Sequence, residues 1–164
     1  FAKMPIPRQM QCVTLVLGLA GDEDKLIRAS AVRAVGVYVM YSGLKEDVAF
    51  VLDAGKAVLS CMKCSSNSVR FKAAWAMANL CDTLVSNKDK HVEEFVMDFP
   101  DDLLLQLVQC AASSTKDSDK ISCNAARAVG NLLRYMPPNC FLQADMEKAI
   151  EAAVKGLVKN MNSG

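Results

Sequence analysis

One short phrase is written three times in this chain, and nothing else in the sequence limits the fold as much. It reads LIRASAVRAVGVYV from Leu26, SVRFKAAWAMANLC from Ser68 and KISCNAARAVGNLL from Lys120. In register, Ile27, Val69 and Ile121 fall together, as do Ala31, Ala73 and Ala125, then Ala34, Ala76 and Ala128, then Tyr38, Leu80 and Leu132. The copies recur about every 40–50 residues, a period that marks stacked helical units. At about 100° per residue, Val69, Ala73, Ala76 and Leu80 form one narrow apolar stripe on a helix. One unit cannot bury such a stripe alone, so neighbouring units must cover it.

Seven helices are expected around the phrase. They run roughly over residues 8–20, 24–41, 45–62, 67–85, 100–112, 119–136 and 144–161. Asp22, Glu23 and Asp24 suit the positive end of the second helix, and Ser42-Gly43 is expected to stop it. Pro100 fits a first turn. Asp119 is expected to cap the sixth helix, and Pro137-Pro138 to end it. No alternating stretch bounded by turns reads as a strand. The second interval between copies is about ten residues longer than the first, and insertions in such arrays fall in loops on one face. The added length is assigned to residues 86–98, a charged connector with room for a short extra helix. It is expected to be either a tolerated excursion or a binding surface.

Composition is that of an ordinary globular chain: 164 residues, 52% hydrophobic, 23% charged, net charge +1. Bulk charge therefore argues for neither nucleic acid nor a membrane surface. The seven cysteines sit mostly within apolar helical patterns, where a thiol behaves as a small hydrophobe. Their odd number and placement suggest a reducing compartment, cytoplasmic or nuclear, with no disulfide framework. No signal peptide is visible, and no apolar run approaches the roughly 20 residues of a membrane span. A chain beginning at Phe1 and ending Met161-Asn162-Ser163-Gly164 is expected to be part of a longer protein.

The string Val69-Arg70-Phe71-Lys72-Ala73-Ala74-Trp75-Ala76-Met77-Ala78-Asn79-Leu80 resembles the second helix of HEAT and armadillo repeats. Ala125-Ala126-Arg127-Ala128-Val129-Gly130-Asn131-Leu132 matches it, and Arg33-Ala34-Val35-Gly36 matches in part, ending in Val37-Tyr38. The resemblance implies an all-α fold, an α-α superhelix or solenoid of about three and a half helix pairs. The single array would fill residues 1–164, with repeats at 8–41, 45–85 and 100–136 and a final helix at 144–161. It also implies a macromolecule-binding scaffold without catalytic residues. In armadillo repeats, a Trp followed four residues later by Asn lines a concave groove, the Asn bonding an extended peptide backbone. Trp75 and Asn79 have that spacing, and an amide both donates and accepts.

The candidate partner-binding residues are Arg33, Lys72, Trp75, Asn79, Asn124, Arg127 and Asn131. The alternative is structural, with Trp75 packed between helices and Asn79 bonded to a neighbouring backbone. Basic residues also gather on the phrase-bearing helices. They are expected either to form a basic face for an acidic peptide or nucleic acid, or to meet acids of neighbouring units in a ladder. The expected partner is a protein or extended peptide, with nucleic acid as the second choice, no membrane, and apolar stack ends able to self-associate. A purely structural spacer is the third reading. Cys61-x-x-Cys64 is a single pair, whereas structural zinc takes four ligands, and only Cys81 and His91 could supplement it. With one His and no nucleophile or phosphate-loop motif, neither enzymatic activity, a metal nor a cofactor is expected.

Overall fold

The computed structural model describes residues 1, 3–90, 99–138, 140 and 143–161. These residues form seven α-helices and no strand: α1 (Ile6–Leu19), α2 (Lys25–Tyr38), α3 (Val48–Met62), α4 (Asn67–Lys90), α5 (Asp101–Ser114), α6 (Asp119–Tyr135) and α7 (Ala144–Met161). Residues 91–98 of the 86–98 segment, read from sequence as having room for a short extra helix, lie outside the described residues, as does His91.

Local chemistry sets most of the boundaries. Pro5 precedes α1 and Pro7 falls in its first turn, where a missing N–H costs nothing. Asp24 caps α2, its carboxylate accepting from Leu26 N at 2.7 Å and Ile27 N at 3.4 Å. Asp47 does the same for Phe50 N at 3.1 Å at the start of α3. Several expected ends differ. Ser118, not Asp119, precedes α6, and Asp119 lies in its first turn, where a carboxylate still favours the dipole. The second helix closes at Tyr38 rather than Tyr41, because Met40 and Tyr41 turn their N–H groups to the carbonyls of Val37 and Tyr38 in a tighter turn. No glycine adopts a positive φ among the described residues, so Gly43 is not the left-handed stop expected there.

The largest difference is at α4, which runs on through residues 86–90, assigned from sequence to a connector. Tertiary contacts hold the added turn. Asn87 Nδ2 donates to Lys45 O, Lys88 Nζ donates to Arg134 O and Tyr135 O at 3.1 and 2.9 Å, and Arg134 pairs with Asp89 at 2.7 Å.

The helices pack as two rows. In one, α1 touches α3, α3 touches α5 and α5 touches α7; in the other, α2 packs on α4 and α4 on α6. Each of α1, α3 and α5 also packs on the helix that follows it. The repeated stripe lies within this core on two copies: Val69, Ala73, Ala76 and Leu80, and Ile121, Ala125, Ala128 and Leu132, are no more than 1% exposed. On α2 the same stripe is less covered, with Ile27 41% exposed, since among the described residues no helix of this row stands before α2 as α2 stands before α4.

Small residues let the rows close up. A Cβ on Gly36 would stand 2.8 Å from Ala76 Cα, Ala76 Cβ and Trp75 Cζ3. Gly130, at the equivalent position of α6, has nothing within 4 Å of its Cβ site. In the other row, Gly156 of α7 meets Thr115 at the end of α5 in the same intimate way.

Two glycines in one register should therefore respond oppositely to alanine. Gly36→Ala should lower stability by about 1–3 kcal/mol through overpacking. Gly130→Ala should raise it by up to about 1 kcal/mol through helix propensity. Urea denaturation of both variants checks the signs.

Candidate binding face

The α2–α4–α6 row carries all seven residues singled out from the sequence, and the structure sorts them into engaged and open. Asn79 is 2% exposed. Its Nδ2 donates to Gly36 O at 3.0 Å, and its Oδ1 accepts from Arg127 Nη1 at 3.3 Å. Both ends of the amide are thus used inside the protein, the structural role weighed from the sequence; the expected exposure to a peptide backbone is absent. Asn79 is also the first of three: Thr83 Oγ1 donates to Val39 O at 2.8 Å, and Asn87 follows four residues later with its bond to Lys45 O. One turn apart each time, these side chains stitch α4 to α2 and its following turn. Thr83 and Asn87 were missed from sequence; the signal was a hydrogen-bonding side chain every fourth residue in an otherwise apolar helix.

Arg127 and Asn131 are engaged as well. Arg127 forms an ion pair with Asp82, and Asn131 Nδ2 donates to the same carboxylate. Asn124 Nδ2 returns to its own helix, donating to Lys120 O at 2.8 Å. The charged ladder expected between units is therefore present. Arg127 and Arg134 meet Asp82 and Asp89 of α4, and Arg70 meets Asp117 ahead of α6 at 2.9 Å.

Arg33, Lys72 and Trp75 remain. Arg33 is exposed and lays its guanidinium flat on the Trp75 ring, 3.4 Å from the centroid. Trp75 is half-buried, its ring edge against Gly36. Lys72 sits 5.1 Å from the Phe71 ring, with Lys120 at 5.9 Å from the same ring. Among the described residues neither Arg33 nor Lys72 has an acidic partner. Stacking fixes the plane of Arg33 while leaving its N–H edge toward solvent, the arrangement that receives a carboxylate in a two-pronged contact.

The thiols sit mainly as packing groups. Burial pushes the Cys81 thiol up to about 12 and the Cys61 thiol up to about 11, which keeps both protonated and inert. Cys61 Sγ donates to Ala20 O at 3.2 Å. Cys64, nearer the surface, is lowered by the Ser66 backbone N–H and then by Arg28. No cluster of three or more metal-ligating side chains occurs among the described residues. Among them, no helix is long and apolar enough to cross a membrane.

What the fold and this face define is an all-α protein of seven described helices. No family model matches the chain. It is similar to an uncharacterized protein of Dictyostelium discoideum, 38% identical over 135 residues, a stretch that takes in 82% of this chain and 9% of that protein. The chain thus corresponds to less than a tenth of its relative's length.

Asn79→Ala should cost about 1–3 kcal/mol, since Gly36 O loses its amide and Arg127 a partner in a buried setting. Asn124→Ala should stay within about 0.5 kcal/mol; chemical denaturation separates the two. Arg70 beside Asp117 holds that carboxyl below the usual carboxylate range. A depressed folded pKa means the stabilisation is complete above the unfolded value of about 4 and is lost as pH falls through the folded value. The stability gap between the unmodified chain and Asp117→Asn, measured by urea midpoints at pH 7 and pH 2.5, should therefore shrink at the lower pH.

Proposed function

We propose that this chain is a HEAT/armadillo-like α-solenoid segment that serves as a protein-binding scaffold, with the α2–α4–α6 face as its contact surface. The observation that carries this reading is the Arg33–Trp75 stack, an exposed guanidinium with no acidic partner among the described residues, held flat on a half-buried indole. Trp and Arg are the residue types most often dominant in binding energy, and Lys72 lies one turn before Trp75 on the same helix. A protein segment bearing carboxylates and an apolar anchor fits these groups. The solenoid assignment is supported by the two rows of successive helix contacts and by the repeated phrase. Most of residues 24–136 also resembles a segment of HEAT repeat-containing protein 6.

The nucleic-acid alternative relies on Arg33, Lys72 and Arg127 acting together. Asp82 neutralises Arg127, and Asp89 and Asp117 neutralise Arg134 and Arg70, so acids interrupt what would otherwise be a continuous basic track. This weakens the alternative, because phosphate binding scales with the number of free cations.

The test compares the proteins captured by the unmodified chain with those captured by Arg33→Ala/Lys72→Ala. Both side chains lie outside the core, so the variant should keep its unfolding midpoint. Loss of specific partners, with affinity falling by about 2 kcal/mol for a purified one, is the expected result. An unchanged partner set with preserved folding refutes the face. RNA binding that falls steeply with salt would instead favour the nucleic-acid reading.

A further inference from the structure

We propose that Cys64 is a site of oxidative modification: its thiolate opens a small anionic disulfide of the oxidised-glutathione class, and Cys61 then displaces the adduct to close a Cys61–Cys64 disulfide. The proposal does not rest on the binding face described above. It rests on two thiols and one guanidinium gathered at the turn between α1 and α2.

Backbone geometry brings the two cysteines together. Cys61 lies in the last turn of α3, and Cys64 N donates to Cys61 O at 3.1 Å. Lys63 N donates likewise to Ser60 O at 3.3 Å, so the helix ends in a tight turn of the 3₁₀ kind. In such a turn the side chains of residues three apart stand one above the other, and their Cα atoms lie within about 7 Å. A disulfide spans about 4.4–6.8 Å between Cα atoms, so this turn admits one.

The side chains converge on the same place. Cys61 Sγ donates to Ala20 O at 3.2 Å. Arg28 Nη1 lies 3.8 Å from Cys64 Sγ, while Nε and Nη2 of the same guanidinium donate to Asp22 O at 2.8 Å and Gly21 O at 3.3 Å. Residues 20–22 thus anchor one thiol directly and the other through Arg28.

The two thiols differ as a two-step exchange requires. Cys64 is half-buried and Cys61 is 0% exposed, so a reagent from solution meets Cys64 first. Cys64 accepts from Ser66 N–H ahead of α4 and lies beside Arg28, and both favour the thiolate, the form that attacks. Arg70 Nη1 donates to Cys64 O and Ser65 O at 3.1 and 3.0 Å, which holds the segment, and its charge is answered by Asp117. The positive field of Arg28 and Lys25 at Cys64 favours a reagent that carries carboxylates.

In the first step the Cys64 thiolate attacks one sulfur of the reagent, its S–S bond breaks, and one glutathione thiolate leaves. In the second, the Cys61 sulfur attacks Cys64 Sγ, and the bond from Cys64 to glutathione breaks. The second glutathione leaves with the Cys61 proton. The dithiol loses two electrons and the reagent gains them. Cys61 is closed to the reagent itself; it reacts because the adduct is delivered within its own turn, where a high effective concentration replaces a collision.

The test incubates the folded, reduced chain with oxidised glutathione, quenches with iodoacetamide and maps the thiols by mass spectrometry. Cleavage after Lys63 leaves the two peptides joined only by the new disulfide. Cys64 should be consumed at least about tenfold faster than the more exposed Cys123, and the product should be the linked pair. Cys61→Ala should instead accumulate one glutathione adduct on Cys64. Arg28→Gln should slow the consumption of Cys64 by at least about threefold while Cys123 keeps its rate; this surface substitution keeps the test open should Cys61→Ala unfold. Consumption of Cys123 as fast as that of Cys64 overturns the proposal. So does an adduct that persists on Cys64 of the unmodified chain, and so does a disulfide that forms only when urea unfolds it.

Discussion

The crossing of α2 over α4 at Gly36 and Ala76 sets the geometry on which the rest of the row depends. With no Cβ on Gly36 the two backbones approach closely, and only at that separation can the short side chain of Asn79 reach Gly36 O. The same closeness lets Thr83 reach Val39 O and Asn87 reach Lys45 O. Three buried polar side chains on an apolar helix would each be costly unpaired; with partners on α2 and its following turn they fix the rotation of α4. A packing stripe of alanines alone would tolerate sliding, whereas bonds to particular carbonyls specify one register.

Once α4 is fixed, the distribution of charge follows. Asp82 and Asp89 are placed where Arg127 and Arg134 of α6 arrive, and Arg70 where Asp117 stands. Pairs this exposed contribute modestly to stability. Their greater consequence is to withdraw basic side chains from the pool that could meet a partner. Arg33 escapes because its neighbour in register on α4 is Trp75 rather than an acid, and so it is stacked instead of neutralised. The candidate face is therefore a local exception within a neutralised row.

Much of the architecture was legible from the sequence. Helix number and order follow from the spacing of the repeated phrase, and α7 lies on the expected residues, 144–161. The buried stripe follows from helical periodicity on α4 and α6, but not on α2, because burial depends on a neighbour that periodicity cannot supply. The last turn of α4 was missed for a related reason: residues 86–90 look like a charged connector until Lys45, Arg134 and Tyr135 arrive to hold them. The site was less legible. Trp75 and Asn79 have the spacing of a groove pair, yet a single sequence cannot say on which side of a crossing an amide will fall, and Asn79 falls inside.

The central claim is that the close crossing at Gly36 and the buried bond from Asn79 form one coupled unit. A double-mutant cycle with Gly36→Ala and Asn79→Ala, read by urea denaturation, tests it most directly. If Gly36→Ala pushes the helices apart and thereby breaks the Asn79 bond, the second substitution should cost less in its presence. The coupling energy should then lie at about 0.5–2 kcal/mol. Additivity within about 0.3 kcal/mol, the behaviour of independent sites, would contradict it.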